Sequence, residues 1–320
     1  MSFERVRENV YLLRVPHGGT TTGVVLLTGD KNYLIDAAGN REEVDEYIIP
    51  ALSELSLEIS DIECVVCTHT HADHIGGFLR LRELGIREIC AYELSVPKIE
   101  TPLKYNIEIR QAFPKNSPPP SNGLEGTTVD RVLYDGDVID SRVEIVATPG
   151  HDSDTVCIYD RFTKTLVCGD SIQLDGTLVQ GCGAYMYLSD YRASMEKLKG
   201  FDCECAVLGH PFIPVDDIVI GREEVEKLLN SAINLTYSYR DFVKSQLDSG
   251  EKDLVKISEK LVEHIGGVIC NEAPCEQDLD GKHQGTAKCR RASADSFRRP
   301  HNCVRCKGLC LLMGRKRYDK

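Results

Sequence analysis

The sequence predicts an α/β sandwich in which helices cover sheets and the chemistry gathers at one sheet edge. Three observations lead there. Short apolar runs of strand character alternate with stretches that repeat every 3.6 residues, the mark of amphipathic helices. Several strand-like runs end alike, in a small residue followed by His or Asp. The hexapeptide His69-Thr70-His71-Ala72-Asp73-His74 falls between the strand-like residues 62–67 and the helical pattern of residues 78–84.

Taken in order, residues 10–15 and 23–28 read as strands. Gly29-Asp30-Lys31-Asn32 is turn chemistry between apolar runs and predicts a hairpin into Tyr33-Leu34-Ile35. That strand ends in Asp36-Ala37-Ala38-Gly39. Val44, Tyr47, Ile48, Leu52 and Leu55 give residues 41–55 a helical stripe. After the hexapeptide, Gly85 stops the next helix and residues 88–92 form a strand. Residues 95–130 break the pattern around Ser117-Pro118-Pro119-Pro120-Ser121-Asn122-Gly123, as a lid over the site or as a passive insertion. Strands resume at 132–134, 143–147, 155–160 and 165–168. The segment after Asp170, through Gly181-Cys182-Gly183-Ala184-Tyr185-Met186-Tyr187, suits either a pocket wall or an ordinary surface loop. Residues 191–199 are a short helix and 203–208 a strand. Residues 216–265 read as two amphipathic helices, ended by Gly266-Gly267.

Three histidines and an aspartate within six residues are a metal-ligand set, because imidazole nitrogens and carboxylates are what zinc and other first-row metals take. Further ligand types follow the later strands: His151 after Thr148-Pro149-Gly150, Asp170 after Gly169, and His210 after Gly209. In an α/β sandwich such strand ends can converge on one edge.

His69-x-His71-x-Asp73-His74, with His151, Asp170 and His210 in that order, resembles the metallo-β-lactamase-fold hydrolases, a superfamily that includes glyoxalase II and the acyl-homoserine lactonases. The resemblance covers roughly residues 1–215 and implies an αβ/βα sandwich there. A helical extension over 216–268 and a Cys-rich tail over 269–320 complete the expected organisation. By resemblance, His69, His71 and His151 hold one metal ion. Asp73, His74 and His210 hold a second, and Asp170 bridges the two. Zinc is the first expectation for both ions, with iron and manganese as alternatives. The implied chemistry is attack by a metal-bridged hydroxide on a small ester, thioester or lactone. Asp73 would orient the nucleophile or pass a proton, and Tyr185 or Tyr187 would donate a hydrogen bond to the substrate oxygen. A mononuclear-iron oxidoreductase like the persulfide dioxygenases, and a phosphodiesterase, are the competing expectations. In the family an Asp-rich strand end supports the metal loop from behind. Asp36 fits that role or a helix-capping turn.

Net charge is −12, unevenly spread. Residues 270–320 hold 12 Lys/Arg against 6 Asp/Glu, while residues 1–269 hold 26 against 44. An acidic body repels polyanions, which disfavours a nucleic-acid substrate and leaves a small molecule as the expected partner. A homodimer is left open. No apolar run reaches the roughly 18 residues of a membrane span, and the first residues lack a signal-peptide core, so the expected compartment is the cytoplasm. Asn234-Leu235-Thr236 is discounted as a glycosylation acceptor for the same reason. Eight of the 14 cysteines lie in the body, mostly in strand-like runs where Cys acts as a small hydrophobe. Cys64-x-x-Cys67 is no redox pair on a strand, where residues three apart face opposite ways. The other six are Cys270, Cys275, Cys289, Cys303, Cys306 and Cys310, in a tail without apolar periodicity. A further zinc or an iron–sulfur cluster there competes with a disordered tail.

Overall fold

A computed structural model of the chain describes residues 1–105 and 124–265. Half of the expected lid, residues 106–123, and the whole Cys-rich tail lie outside the described residues. Among those that are described, no helix is long and apolar enough to cross a membrane.

The first sheet has seven strands in chain order: β1 (Glu4–Arg7), β2 (Val10–His17), β3 (Thr20–Leu27), β4 (Asn32–Ile35), β5 (Ile62–Val66), β6 (Glu88–Tyr92) and β7 (Arg131–Leu133). β1 to β4 pair antiparallel, and β4 to β7 run parallel. Parallel neighbours need crossovers, and helices supply them. α1 runs from Arg41–Glu43 through a π-helical turn, Val44–Ile48, into Ile49–Glu54. α2 (Ala72–Ile75) and α3 (Phe78–Glu83) follow β5, and α4 (Val96–Glu100) follows β6. The β3–β4 hairpin forms as its turn residues predict. A second hairpin joins β2 and β3 through Gly18-Gly19, both at positive φ, which suits a two-residue turn between twisted strands. It extends both strands beyond the expected bounds and carries His17 and Thr20 to the hairpin tip.

The second sheet is ordered β13-β12-β11-β10-β9-β8. Its strands are β8 (Val138–Ile139), β9 (Val143–Ala147), β10 (Val156–Asp160), β11 (Thr165–Gly169), β12 (Cys205–Phe212) and β13 (Asp216–Ile220). Only β11 and β12 pair in parallel, and α5 (Leu188–Leu198) crosses between them. Residues 216–220 belong to this sheet rather than to the helical segment expected from 216 onward. Asp216-Asp217-Ile218-Val219-Ile220 is a β-branched run that buries alternate positions against β12. α6 (Arg222–Asp248) and α7 (Leu254–His264) follow it.

Burial divides into three layers. Leu13, Val15, Val24 and Leu26 face α1 and α3, while Leu12, Val25, Leu27 and Ile35 face the other sheet. Strands covered on both faces are apolar almost throughout, as these are. On the far side, α5, α6 and α7 share one core with the outer face of the second sheet. Cys64 lies in the inter-sheet core and Cys67 on the helix side, so the two thiols are on opposite faces. All eight described cysteines are free and buried.

Buried ion pairs tie the halves together. Arg142 donates from Nε and Nη2 to the two Asp160 carboxylate oxygens, each at 2.8 Å, and from Nη1 to the Thr28 carbonyl at 2.7 Å. Thr28 follows β3, so this guanidinium joins the sheets. At another edge, Arg14 of β2 grips the buried Asp217 of β13. Truncating one member of such a pair strands the other's charge. Arg142→Ala is therefore expected to destabilise the protein by about 3–5 kcal/mol, measured by urea unfolding. An unchanged midpoint would mean that the clamp carries no stability.

Candidate metal centre

The hexapeptide leaves β5 and closes one helical turn, with the His74 backbone N–H donating to the His71 carbonyl. The turn lies directly on the loop after β4. A Cβ on Gly76 would sit 1.8 Å from the Gly39 carbonyl oxygen, so only glycine allows that approach. Ala37 N–H donates to the His74 carbonyl across the same contact.

Seven side chains converge at this sheet edge as two groups, each with potential ligand atoms within 4.8 Å of one another. One is His69, His71, His151 and Asp170; the other is Asp73, His74 and His210. The groups adjoin at Asp170. Its Oδ1 lies 3.4 Å from His210 Nε2 and 3.5 Å from His74 Nε2, and its Oδ2 lies 3.6 Å from His151 Nε2. His151 Nε2 and His71 Nδ1 face each other at 2.9 Å, and the Nε2 atoms of His74 and His210 at 3.4 Å.

The far nitrogens of these rings are fixed from behind. His74 Nδ1 donates to Asp36 Oδ2 at 2.7 Å, His210 Nδ1 to the Thr21 carbonyl at 2.7 Å, and His151 Nδ1 to the Ala184 carbonyl at 2.8 Å. His69 Nδ1 donates to Thr68 Oγ1 at 3.2 Å. Such partners set the tautomer that leaves the other nitrogen free for a metal. Asp36 serves the loop and does not cap a helix. It also accepts from Thr68 N–H at 2.8 Å and Thr68 Oγ1 at 2.7 Å.

Two buried atoms at the meeting point, His69 Nε2 and Asp170 Oδ1, make no hydrogen bond, and Asp170 Oδ1 has only the ion-pair approaches of His210 and His74. Buried polar atoms are nearly always paired, and here the missing partner matches a cation. The donor set of imidazoles and carboxylates fits divalent zinc, iron or manganese.

Charge divides the groups. Burial, followed by the neighbouring imidazoles, pushes His69 well below its ordinary pKa, and burial with His71 lowers His151 to about 4. Burial also opposes charge on His74 and His210, but carboxylates outweigh it. Asp36, Asp73 and Asp170 raise His74 well above its usual range, and Asp170 with Asp73 raises His210 to about 10. Burial works in the opposite direction on Asp73 and Asp170, yet His74 and His210 bring both well below the carboxylate range. Without an ion, Asp73, Asp170, His74 and His210 form a compact ion cluster beside the neutral rings of His69 and His151.

A buried polar network behind the first group was not foreseen. Lys98 Nζ donates to Asp154 Oδ1 at 2.5 Å, Asp152 Oδ1 at 3.1 Å and the Tyr105 hydroxyl at 2.9 Å. Asp154 Oδ2 accepts from Thr70 and Ser95, and Asp152 Oδ2 lies 3.7 Å from His71 Nε2. The available signal was Asp152-x-Asp154 directly after His151.

The two expected tyrosines part company. Tyr185 is fully buried against Tyr191 and Tyr239, and its hydroxyl donates to the Leu174 carbonyl at 2.5 Å. That hydroxyl is committed to the core, so Tyr185 is corrected from substrate contact to packing. Tyr187 is exposed, and its backbone N–H donates to the Gly150 carbonyl beside His151. A cleft of about 160 Å³ adjoins the second group, lined by His17 and Thr20 of the hairpin, by Val179 and Gln180, and by Asp73 and His210. The segment after Asp170 thus supplies a wall. Cys270, Cys275, Cys289, Cys303, Cys306 and Cys310 lie outside the described residues.

Comparison with known proteins agrees with this geometry. A family model described as "Metallo-beta-lactamase superfamily" matches residues 15–210. The beta-lactamase-like protein 2 homolog of Caenorhabditis elegans is 30% identical over 206 residues, 64% of this chain and 59% of that protein. The human acyl-coenzyme A thioesterase MBLAC2 is 28% identical over 146 residues, 42% of this chain and 49% of that protein. An atrochrysone carboxyl ACP thioesterase of Aspergillus fumigatus is 22% identical over 252 residues, 78% of this chain and 69% of that protein. The chain thus spans about three fifths of the C. elegans relative and about half of the human one. Among solved structures, a metallo-beta-lactamase family protein from Thermus thermophilus superposes with a TM-score of 0.66 at 20% identity, covering 80% of this chain and 88% of that one. Strand order, the seven converging side chains and the family match agree: the chain belongs to the metallo-β-lactamase superfamily.

Proposed function

We propose that this chain is a dinuclear metal-dependent hydrolase of a small thioester, ester or lactone, with thioesters first. The observation that carries the reading is the pair of orphaned buried atoms, His69 Nε2 and Asp170 Oδ1, where two ligand groups meet. His69, His71 and His151 would hold one ion, Asp73, His74 and His210 the other, with Asp170 between them. Divalent ions there, zinc first and iron or manganese next, would lower the pKa of water and polarise a carbonyl. The chain's own residues do the rest. Gln173 Nε2 donates to Asp170 Oδ2 at 2.8 Å and so sets the plane of the shared carboxylate. Asp73 borders the cleft and can orient the attacking water. Tyr187, exposed beside the His151 loop, stays a candidate for substrate contact. The cleft is smaller than the ~300 Å³ and upward of pockets for drug-sized molecules, which suits the acyl part of a modest substrate. The thioester preference rests on two relatives whose names state thioesterase activity.

Replacing the shared carboxylate tests the reading. Asp170→Asn is expected to keep the fold, lose bound metal and lower kcat by about 10²–10³-fold, the scale of one preorganised electrostatic group. Metal analysis and thioester hydrolysis are the measurements. Wild-type activity in pure protein would refute the dinuclear assignment, and full activity with one ion per chain would favour the mononuclear alternative.

Metal uptake carries its own signature. Ligation needs neutral imidazole. In metal-free protein at pH 7, His74 and His210 hold their protons, whereas His69 and His151 have lost theirs. Filling the second group therefore releases protons, and its apparent affinity rises with pH more steeply than that of the first. Calorimetric zinc titrations in buffers of different ionisation enthalpy read this directly. Equal proton release for both equivalents would contradict the asymmetry.

The tail is proposed, from sequence alone, as a further metal module. Six cysteines in 51 residues, with Cys303-x-x-Cys306 as a chelating pair, suit zinc or an iron–sulfur cluster. Truncation before Cys270 is expected to remove metal beyond the catalytic pair and to spare hydrolysis. Equal metal stoichiometry in full-length and truncated protein, both prepared anaerobically, would withdraw the module.

A further inference from the structure

The cleft has one polar wall that the ligand set does not use. His17 ends β2 at the Gly18-Gly19 hairpin and lines the same cleft as Asp73 and His210. We propose that His17, held by Glu43, is a further catalytic residue: its imidazole Nε2 gives a proton to the leaving-group atom of an acyl substrate in this cleft. The proposal rests on the hydrolase reading above.

Three separate provisions hold this one ring. His17 Nδ1 donates to Glu43 Oε1 at 3.1 Å, which leaves Nε2 as the nitrogen available to a ligand. Glu43 is itself fixed, for its Oε2 accepts Gly39 N–H at 2.6 Å and its Oε1 accepts Asn40 Nδ2 at 2.9 Å. Gly39 also makes room. A Cβ there would stand 2.6 Å from His17 Cε1 and 2.7 Å from Nδ1. A carboxylate that orients an imidazole beside a reaction centre is the arrangement that serves proton transfer elsewhere. The Glu43 hydrogen bond raises the His17 pKa against the opposing pull of burial. Asp73 raises it further, and His210 opposes it.

The step balances as follows. Hydroxide derived from water adds to the acyl carbon. The bond from that carbon to sulfur or oxygen breaks, and its electron pair stays on the leaving atom. The Nε2 proton goes to that atom, leaving His17 neutral. The proton released as the acid product ionises restores the imidazolium. A leaving group that is stable as an anion has no need of this proton.

That dependence supplies the test. Metal-loaded full-length protein is assayed with two thioesters of one acyl group, an alkyl thioester and a nitrophenyl thioester. His17→Ala is expected to lower kcat on the alkyl substrate about 100-fold, and on the nitrophenyl substrate by less than about threefold, with KM little changed. His17→Gln keeps a hydrogen-bond donor but has no proton to give, so it should follow the alanine variant in kcat. Gly39→Ala, which pushes the ring aside, should show the same dependence on leaving group. Equal losses on both substrates would make His17 a structural anchor of the hairpin, and no loss on either would give it no role. Both results overturn the inference and leave the hydrolase reading standing. If the wild-type protein cleaves neither substrate, the thioester reading falls and takes this inference with it.

Discussion

The Asp36 carboxylate accepts three hydrogen bonds, from Thr68 N–H, Thr68 Oγ1 and His74 Nδ1, at 2.7–2.8 Å. It does so from the left-handed region, at φ 62°, just past the end of β4. Non-glycine residues hold that conformation only where the surroundings demand it, and Asp tolerates it better than most. Here the demand is plain. One side chain joins the ends of β4 and β5 and aims the second group's buried histidine. A partner of this kind typically contributes about 10–100-fold to metal affinity. The Gly76–Gly39 contact works with it, since the metal loop reaches Asp36 only when no Cβ intervenes.

The two groups solve different electrostatic problems. The first buries His69 and His151 as uncharged imidazoles. The second packs two raised histidines against two depressed carboxylates, so protons stand in for the cation. Behind the first group, Lys98 offsets the buried charges of Asp152 and Asp154. Buried carboxylates left without that ammonium would be strongly unfavourable. Lys98 and Ser95 belong to the chain around α4, so the segment leading toward residues 106–123 is fastened to the His151 loop by charge.

How much of this was legible depended on distance along the chain. The hexapeptide and the His151, Asp170 and His210 strand ends could be read because each is a local grammar of apolar run, small residue and ligand. The inner strands of both sheets followed from the same runs, but the short strands β1, β8 and β13 did not. The His17–Glu43–Gly39 arrangement could not be read, because its members are up to 26 residues apart and nothing in Val-Pro-His-Gly-Gly marks His17 as special. The Gly18-Gly19 pair followed by three threonines was the overlooked hairpin signal. Lys98 was hidden likewise, 54 and 56 residues from its partners. Tyr185 and Tyr187 looked equivalent because both stand in one Gly-rich run after Asp170, with no periodicity to say which turns inward. Tyr187 immediately precedes α5, and Tyr185 turns into the core. Residues 216–220 were merged with the helix after them because apolar runs of this length fit either pattern.

The buried Tyr185 nonetheless matters to the centre, through packing. Its ring lies against Tyr239 of α6, and its hydroxyl holds the Leu174 carbonyl. Between these residues, Gln173 Oε1 accepts Ala184 N–H at 2.6 Å while Gln173 Nε2 holds Asp170. The Ala184 carbonyl accepts from His151 Nδ1. A continuous set of contacts therefore runs from α6 through two tyrosines to His151 and to Asp170. The cleft wall at Val179 and Gln180 belongs to the same segment. The helices after the last histidine share the core of the second sheet, and through Tyr239 they fix the wall against which a substrate would lie. A change at Tyr239 would reach the chemistry without touching it, by letting Ala184 and Gln173 shift relative to the residues they orient.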